Sequence, residues 1–213
     1  MFNKPRLLTP GPTPLPERVR LALAQDMIHH RKPGFKKILL ETETMLQKLF
    51  GTEQPVLPLS CSGTGAMTAA VHGLFLPGET VIVVNGGKFG ERWSKIAAVR
   101  GLKVVEIDVA WGQAVTPAQV EQALREHPEA KGVFMQVCET STAAQHPVEA
   151  IARLTRTREV LLVADGISIR QNRRRIWKAS RRSASLPARW THGASTASSP
   201  APRRASWSRP AWR

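Results

Sequence analysis

Val160-Leu161-Leu162-Val163-Ala164-Asp165 runs five apolar residues straight into a carboxylate. An apolar run of that length without alternation suits a parallel strand buried on both faces. In open parallel sheets, ligands bind beyond the carboxyl ends of the strands, which makes Asp165 a candidate site residue. Upstream the same unit recurs. Strands are expected at 56–59, 80–84, 102–107 and 131–137, with helices at 64–75, 89–100, 117–127 and 148–156. Thr116 followed by Pro117 marks one helix start, with the proline at the first helical position. Two further helices are expected at 17–30 and 34–50, the second closed by Gly51 as C′ residue. Strands alternating with amphipathic helices define an α/β fold, a mostly parallel sheet built from crossover units and flanked by helices.

Three regions follow from this pattern. The prolines of Leu8-Thr9-Pro10-Gly11-Pro12-Thr13-Pro14-Leu15-Pro16 exclude helix and inner strand, so residues 1–16 read as an extended arm. Residues 17–168 carry the α/β pattern. Residues 169–213 break it, with Arg, Ala, Ser, Pro and Trp predominating. The chain has 31 Lys+Arg against 16 Asp+Glu and a net charge of +15. The last 45 residues hold 12 of the basic residues and none of the acidic ones, leaving 19 against 16 in residues 1–168. The strong basicity is therefore a property of the tail alone. Ile169, Ile176 and Leu186 are its aliphatic residues and share no period, too little apolar surface to offset the entropy of ordering. The tail is expected to be disordered. Its readings are a solvated tail, a nucleic-acid arm in which Arg meets phosphate and Trp stacks on bases, and the product of a shifted reading frame beginning at Ser168.

Cys61 and Cys138 stand far apart, which excludes a disulfide scaffold and a Cys-x-x-Cys zinc or redox site. No apolar run approaches the roughly 20 residues of a bilayer span, and Met1-Phe2-Asn3-Lys4-Pro5 lacks a signal-like apolar segment. The composition suits a cytoplasmic protein with no membrane partner.

The loops after the strand tips are 60–65, 85–90, 138–142 and Asp165. Ser62-Gly63-Thr64-Gly65 opens a helix, where glycines admit an anion to unpaired N–H groups and the hydroxyls add donors. It reads either as a phosphate cradle or as a plain helix cap. Neither it nor Gly86-Gly87-Lys88 is a Walker A loop, since no Gly-Lys-Ser/Thr occurs. Asp165 reads as a solvated turn residue or helix cap, or as a buried acceptor for a cationic ring nitrogen or a metal. A metal is not expected, because no His or second carboxylate is spaced beside it. Phe89 reads as core or as a stacking platform, His29-His30-Arg31 as a surface helix end, and Glu139-Thr140-Ser141-Thr142 as a polar loop.

Taken together, six segments resemble the class V aminotransferases of the alanine–glyoxylate and serine–pyruvate type. They are Thr9-Pro-Gly-Pro-Thr-Pro14, His29-His-Arg31, Ser62-Gly-Thr-Gly-Ala-Met67, Asn85-Gly-Gly-Lys-Phe-Gly-Glu-Arg92, Glu139-Thr-Ser-Thr142 and Leu162-Val-Ala-Asp165. They fall in family order across residues 5–168. The resemblance implies the large domain of a fold-type I pyridoxal-phosphate transferase. It assigns Ser62, Gly63 and Thr64 to the phosphate of pyridoxal 5′-phosphate, Phe89 to stacking on the pyridine ring, and Ser141 to a hydrogen bond near the ring hydroxyl. It pairs Asp165 with the protonated ring nitrogen and puts Gly11 near substrate. The implied reaction moves an amino group from alanine or serine to glyoxylate or another 2-oxo acid, in a homodimer.

Two departures stand out. Ala143 replaces the glycine the family usually shows after Ser-Thr. The Schiff-base Lys, expected in a Ser-x-Lys context somewhat over two dozen residues beyond the Asp, is missing from the anomalous tail. Lys178, the lysine present there, comes too soon. The substrate-carboxylate Arg and the small C-terminal domain are missing too. The sequence therefore reads as a truncated, frameshifted aminotransferase that cannot transaminate, with a bare hydrophobic sheet edge. The competing reading is a non-catalytic α/β binding protein whose basic tail grips nucleic acid.

Overall fold

The computed structural model describes residues 11–168, 189–191 and 194–196. The chain divides into two compact units, residues 1–46 and 47–213. In the first, α1 (Glu17–Leu23) is followed by α2 (Pro33–Phe50), which runs on into the second unit. The helix expected over 17–30 stops at Leu23. None of its residues is buried and Met27 is fully exposed, so no packing extends a helix too short to stand on propensity. Gly51 closes α2 as expected. At φ 60° it lets its own N–H reach Lys48 C=O at 3.3 Å and the Thr52 N–H reach Gln47 C=O at 3.0 Å.

The second unit carries the sheet. In chain order it comprises β1 (Val56–Pro58), α3 (Gly63–Leu74), β2 (Thr80–Asn85), α4 (Lys88–Val99), β3 (Lys103–Asp108) and α5 (Pro117–Glu126). These are followed by β4 (Gly132–Gln136), a short hairpin of β5 (Cys138–Glu139) and β6 (Ala144–Gln145), α6 (Val148–Arg156) and β7 (Leu161–Asp165). Each crossover unit expected upstream of Ser168 is present within two residues of its expected bounds. Thr116 caps α5 reciprocally with Gln119. Strands run in the order β7-β4-β2-β3, all parallel. From β2 the chain passes outward to β3, whereas from β4 it passes the opposite way to β7. The β2/β4 boundary is thus the switch point at which such sheets open a crevice beyond their carboxyl ends.

Within residues 169–213, expected to lack structure, Arg189–Thr191 and Ala194–Thr196 form β8 and β9. β8 pairs with β7 in parallel, and β9 lies antiparallel between β8 and β1. The edge of β7 is therefore paired, contrary to the sequence reading. An open strand edge offers backbone donors and acceptors that any chain can meet, whatever its side chains. The remainder of the tail lies outside the described residues.

The strands β2, β4 and β7 are buried on both faces, as their apolar runs require, whereas β3 at the end of the parallel order is largely exposed. On one face Met67 and Val71 of α3, Phe75 just after it, and Trp93 and Ala97 of α4 close over Val81, Val83, Phe134 and Val163. Phe134 meets Phe75 edge-on, centroids 5.0 Å apart, and Trp93 at 5.2 Å. Gly132 makes room for this: a Cβ there would stand 2.6 Å from the Phe75 ring. That ring is itself wedged against Phe134 and cannot retreat. Gly132→Ala should accordingly cost about 1–3 kcal/mol through overpacking, read as a lower urea midpoint with unchanged slope. A midpoint equal to wild type would show that the ring yields.

Candidate functional site

All the site residues expected from the sequence except Gly11 meet at the carboxyl edge of the sheet in the second unit. Gly11 belongs to the first unit, where a Cβ would meet nothing within 4 Å. His29-His30-Arg31 lies there as well, in an exposed turn after α1 rather than at a helix end.

The helix α3 begins at the phosphate-cradle candidate. Ser62 is its N-cap, and its Oγ accepts the Gly65 N–H at 3.2 Å. The cap and cradle readings are compatible. The oxygen serves the cap while the hydroxyl hydrogen stays available, and the N–H groups of Gly63 and Thr64 have no hydrogen-bond partner among the described residues. The N-terminus of α4 is handled differently. The carboxylate of Glu139, fully buried, accepts the N–H of Gly90 at 2.9 Å and of Phe89 at 3.2 Å. It also takes the Ser141 N–H at 3.1 Å and hydroxyl at 2.6 Å. Ser141 Oγ in turn accepts the Lys88 N–H at 3.1 Å. This clasp leaves no space at Gly87, where a Cβ would fall 2.5 Å from Ser141 Oγ and 2.6 Å from Glu139 Cγ.

The clasp changes how Ser141 can serve a ligand. Its one hydrogen is committed to Glu139, so towards a ring hydroxyl it keeps only a lone pair. From the same turn, Thr140 Oγ1 reaches Ser168 Oγ at 2.5 Å, tying the hairpin to the segment after β7. Glu139 itself was read as part of a polar loop. The local pattern could not disclose that it caps a helix 50 positions away.

Asp165, 6% exposed, ends β7. Burial pushes its carboxyl above the ordinary carboxylate range. The Ile167 N–H, which Oδ1 accepts at 3.0 Å, the neighbouring Gln136 amide and the Arg92 charge oppose this, and Glu139 reinforces it. Gln136, paired with Asp165 across β4 and β7, is buried, and its terminal amide is near enough to favour the Asp165 charge without reaching good hydrogen-bond geometry with any described residue. The Ile167 side chain lies 3.9 Å from where a Gly63 Cβ would be, which sets the start of α3 beside the Asp165 turn. Phe89 is half-buried on the first turn of α4, with the Arg92 guanidinium 4.7 Å from its ring centroid. Behind the clasp, His146 accepts the Val115 N–H at Nδ1, 3.1 Å, and burial lowers its pKa against the pull of Glu139. The sequence reading passed over it, for nothing in its spacing marks a buried imidazole. Among the described residues no group of three or more His, Cys, Asp or Glu could hold a metal, and no helix is long and apolar enough to cross a membrane.

Two helix starts, an aromatic face and a buried acid thus line one edge. The sequence pattern described as aminotransferase class-V matches residues 11–174. This chain belongs to that family. It is 40% identical over 167 residues to an uncharacterized aminotransferase of Helicobacter pylori, covering 76% of this chain and 44% of the relative. Among solved structures it is similar to a subgroup IV aspartate aminotransferase from Thermus thermophilus, with TM-score 0.70, 38% identity, and coverage of 76% of this chain and 45% of that one. It is also similar to an alanine–glyoxylate aminotransferase from Nostoc, with TM-score 0.71, 30% identity, and coverage of 73% and 41%. This class-V chain therefore spans under half the length of these relatives.

Two outcomes follow. Glu139→Ala should destabilise the chain by about 2–4 kcal/mol, because it strips the acceptor from three backbone N–H groups at once. Glu139→Gln, which keeps one acceptor oxygen, should cost less; equal costs in urea melts would contradict the clasp. A carboxyl whose folded pKa is raised contributes stability that is present below its unfolded value and lost as pH rises through the folded value. Asp165→Asn should therefore raise the urea midpoint of the ligand-free chain at pH 7.5. The gap should close below about pH 4, the ordinary carboxylate value. A less stable Asn variant at pH 7.5 would show the acid to be stabilised instead.

Proposed function

We propose that this edge is the cofactor seat of a pyridoxal-phosphate-dependent aminotransferase that moves an amino group from a small amino acid, alanine or serine, to glyoxylate or a related 2-oxo acid. The observation that carries it is Asp165, a buried acid held at a strand tip in a state that burial disfavours and a cationic ring nitrogen would relieve. The residues present fit the group at its other end as well, since the free N–H groups of Gly63 and Thr64 and the hydroxyl hydrogen of Ser62 suit a phosphate.

When bound, pyridoxal phosphate supplies an electron sink for bond breaking at the substrate's Cα. The chain's own residues do the rest. Ser62, Gly63 and Thr64 take the phosphate. Phe89 holds the ring plane, and Ser141 offers a lone pair to the ring hydroxyl. Asp165 keeps the ring nitrogen protonated, a task for which a buried, negatively charged oxygen is suited only opposite a cation. Gly11 lies near substrate in this reading. The working enzyme is a cytoplasmic homodimer.

Past Asp165 the one lysine is Lys178. No residue in residues 169–213 stands in the Ser-x-Lys context that tethers the cofactor and carries the proton at the substrate carbon. The 213-residue chain supplied with pyridoxal phosphate, alanine or serine, and glyoxylate should show no glycine formation above the rate without protein. Glycine release that scales with protein concentration would overturn this.

A further inference from the structure

Arg92 is left unexplained by the roles assigned so far. It follows Phe89 by three positions on α4, so helix periodicity puts both on one face, and its guanidinium lies 4.7 Å from the Phe89 centroid. Its Nη1 donates to Thr64 Oγ1 at 3.1 Å, crossing from α4 to the first turn of α3. On the same helix Lys88 and Lys95 share Glu91, at 3.1 and 2.5 Å, whereas Arg92 makes no ion pair among the described residues. A half-buried guanidinium with no carboxylate at ion-pair distance among the described residues thus lies beside the positive end of α3. Two positive poles converge, and the carboxyl that Arg92 does influence, Asp165, is disfavoured as an anion by its burial, so the arrangement gains from an anion received at the site.

We propose that Arg92 is a positioning residue for the phosphate end of the cofactor, acting through Thr64 and Phe89. The proposal rests on the cofactor reading above and adds a determinant of ligand choice to it. By occupying a lone pair of Thr64 Oγ1, Arg92 leaves that hydroxyl's hydrogen to be donated to a phosphate oxygen. By lying against one face of Phe89, it leaves the other face for a ring and fixes the tilt of the platform. Its charge also favours the ionised form of Asp165. One side chain therefore couples the phosphate seat, the ring platform and the acid, and selects a ligand that carries both an anion and an aromatic ring.

The test uses the full 213-residue chain and two probes that need no lysine tether, pyridoxamine 5′-phosphate and pyridoxamine, measured by equilibrium dialysis. Arg92→Gln should weaken the phosphorylated probe about tenfold and pyridoxamine, which keeps only the ring contacts, by about threefold at most, so that the preference for phosphate falls. Arg92→Lys keeps the charge but not the planar fork, and should retain an intermediate preference. Thr64→Val combined with Arg92→Gln should cost little more than the larger single change, because the two act through one bond. An unchanged preference in Arg92→Gln, or equal weakening of both probes, would overturn the proposal. Should Arg92→Gln fail to fold by circular dichroism, Arg92→Lys decides, and a wild-type preference there would overturn it. If wild type binds neither probe, the cofactor reading itself falls, an outcome distinct from wild-type binding with an indifferent Arg92.

Discussion

The buried carboxylate of Glu139 fixes where α4 starts, and most of the site depends on that. A helix N-terminus leaves unpaired N–H groups that must find acceptors. Here the first turn of α4 finds them on the β5–β6 hairpin, with Gly90 N–H at 2.9 Å and Phe89 N–H at 3.2 Å. The contact spans the switch point, because α4 follows β2 and the hairpin follows β4. It places the Phe89 ring and the Arg92 fork over the crevice and spends the Ser141 hydrogen. The two helix starts are thereby given opposite tasks. Glu139 neutralises α4 from within the chain, while the Gly63 and Thr64 N–H groups of α3 have no acceptor among the described residues, and the proposed function gives them an anion from outside.

Asp165 ends β7, and the turn after it neighbours the start of α3. Burial works against its charge, and Arg92 and the Ile167 N–H offset only part of that cost. In the proposed function, a buried carboxyl near an aromatic platform and an open helix start takes a ligand with a cation at one end and an anion at the other. The fold-level likeness alone would not assign a residue.

Much of this was legible in the sequence because it is local. Apolar runs of strand length, Thr116 with Pro117, Gly51 and the glycines around Thr64 each encode their own backbone, and the sheet followed from their alternation. The Val160–Asp165 run announced both a buried strand and the acid at its tip. What the sequence concealed is non-local. Glu139 and Gly90 are brought together only by the side-by-side pairing of β2 and β4, so Glu139 passed for a loop residue and Ser141 for a freer hydroxyl than it is. Arg92 stood in a quoted segment without a role, since its partner Thr64 is on another helix. The helix from Glu17 ended early because amphipathic spacing promises a helix only where a surface waits to bury it. The pairing of Arg189–Thr191 against β7 rests on backbone groups that composition does not record.

The measurement that bears most directly on this account is the protonation of the ring nitrogen in bound pyridoxamine 5′-phosphate, followed by ¹⁵N NMR of the labelled ring on the intact chain at neutral pH. The account requires a shift characteristic of a protonated pyridine, lost when Asp165 is replaced by Asn. A bound ring whose nitrogen is neutral in the wild-type chain would contradict it.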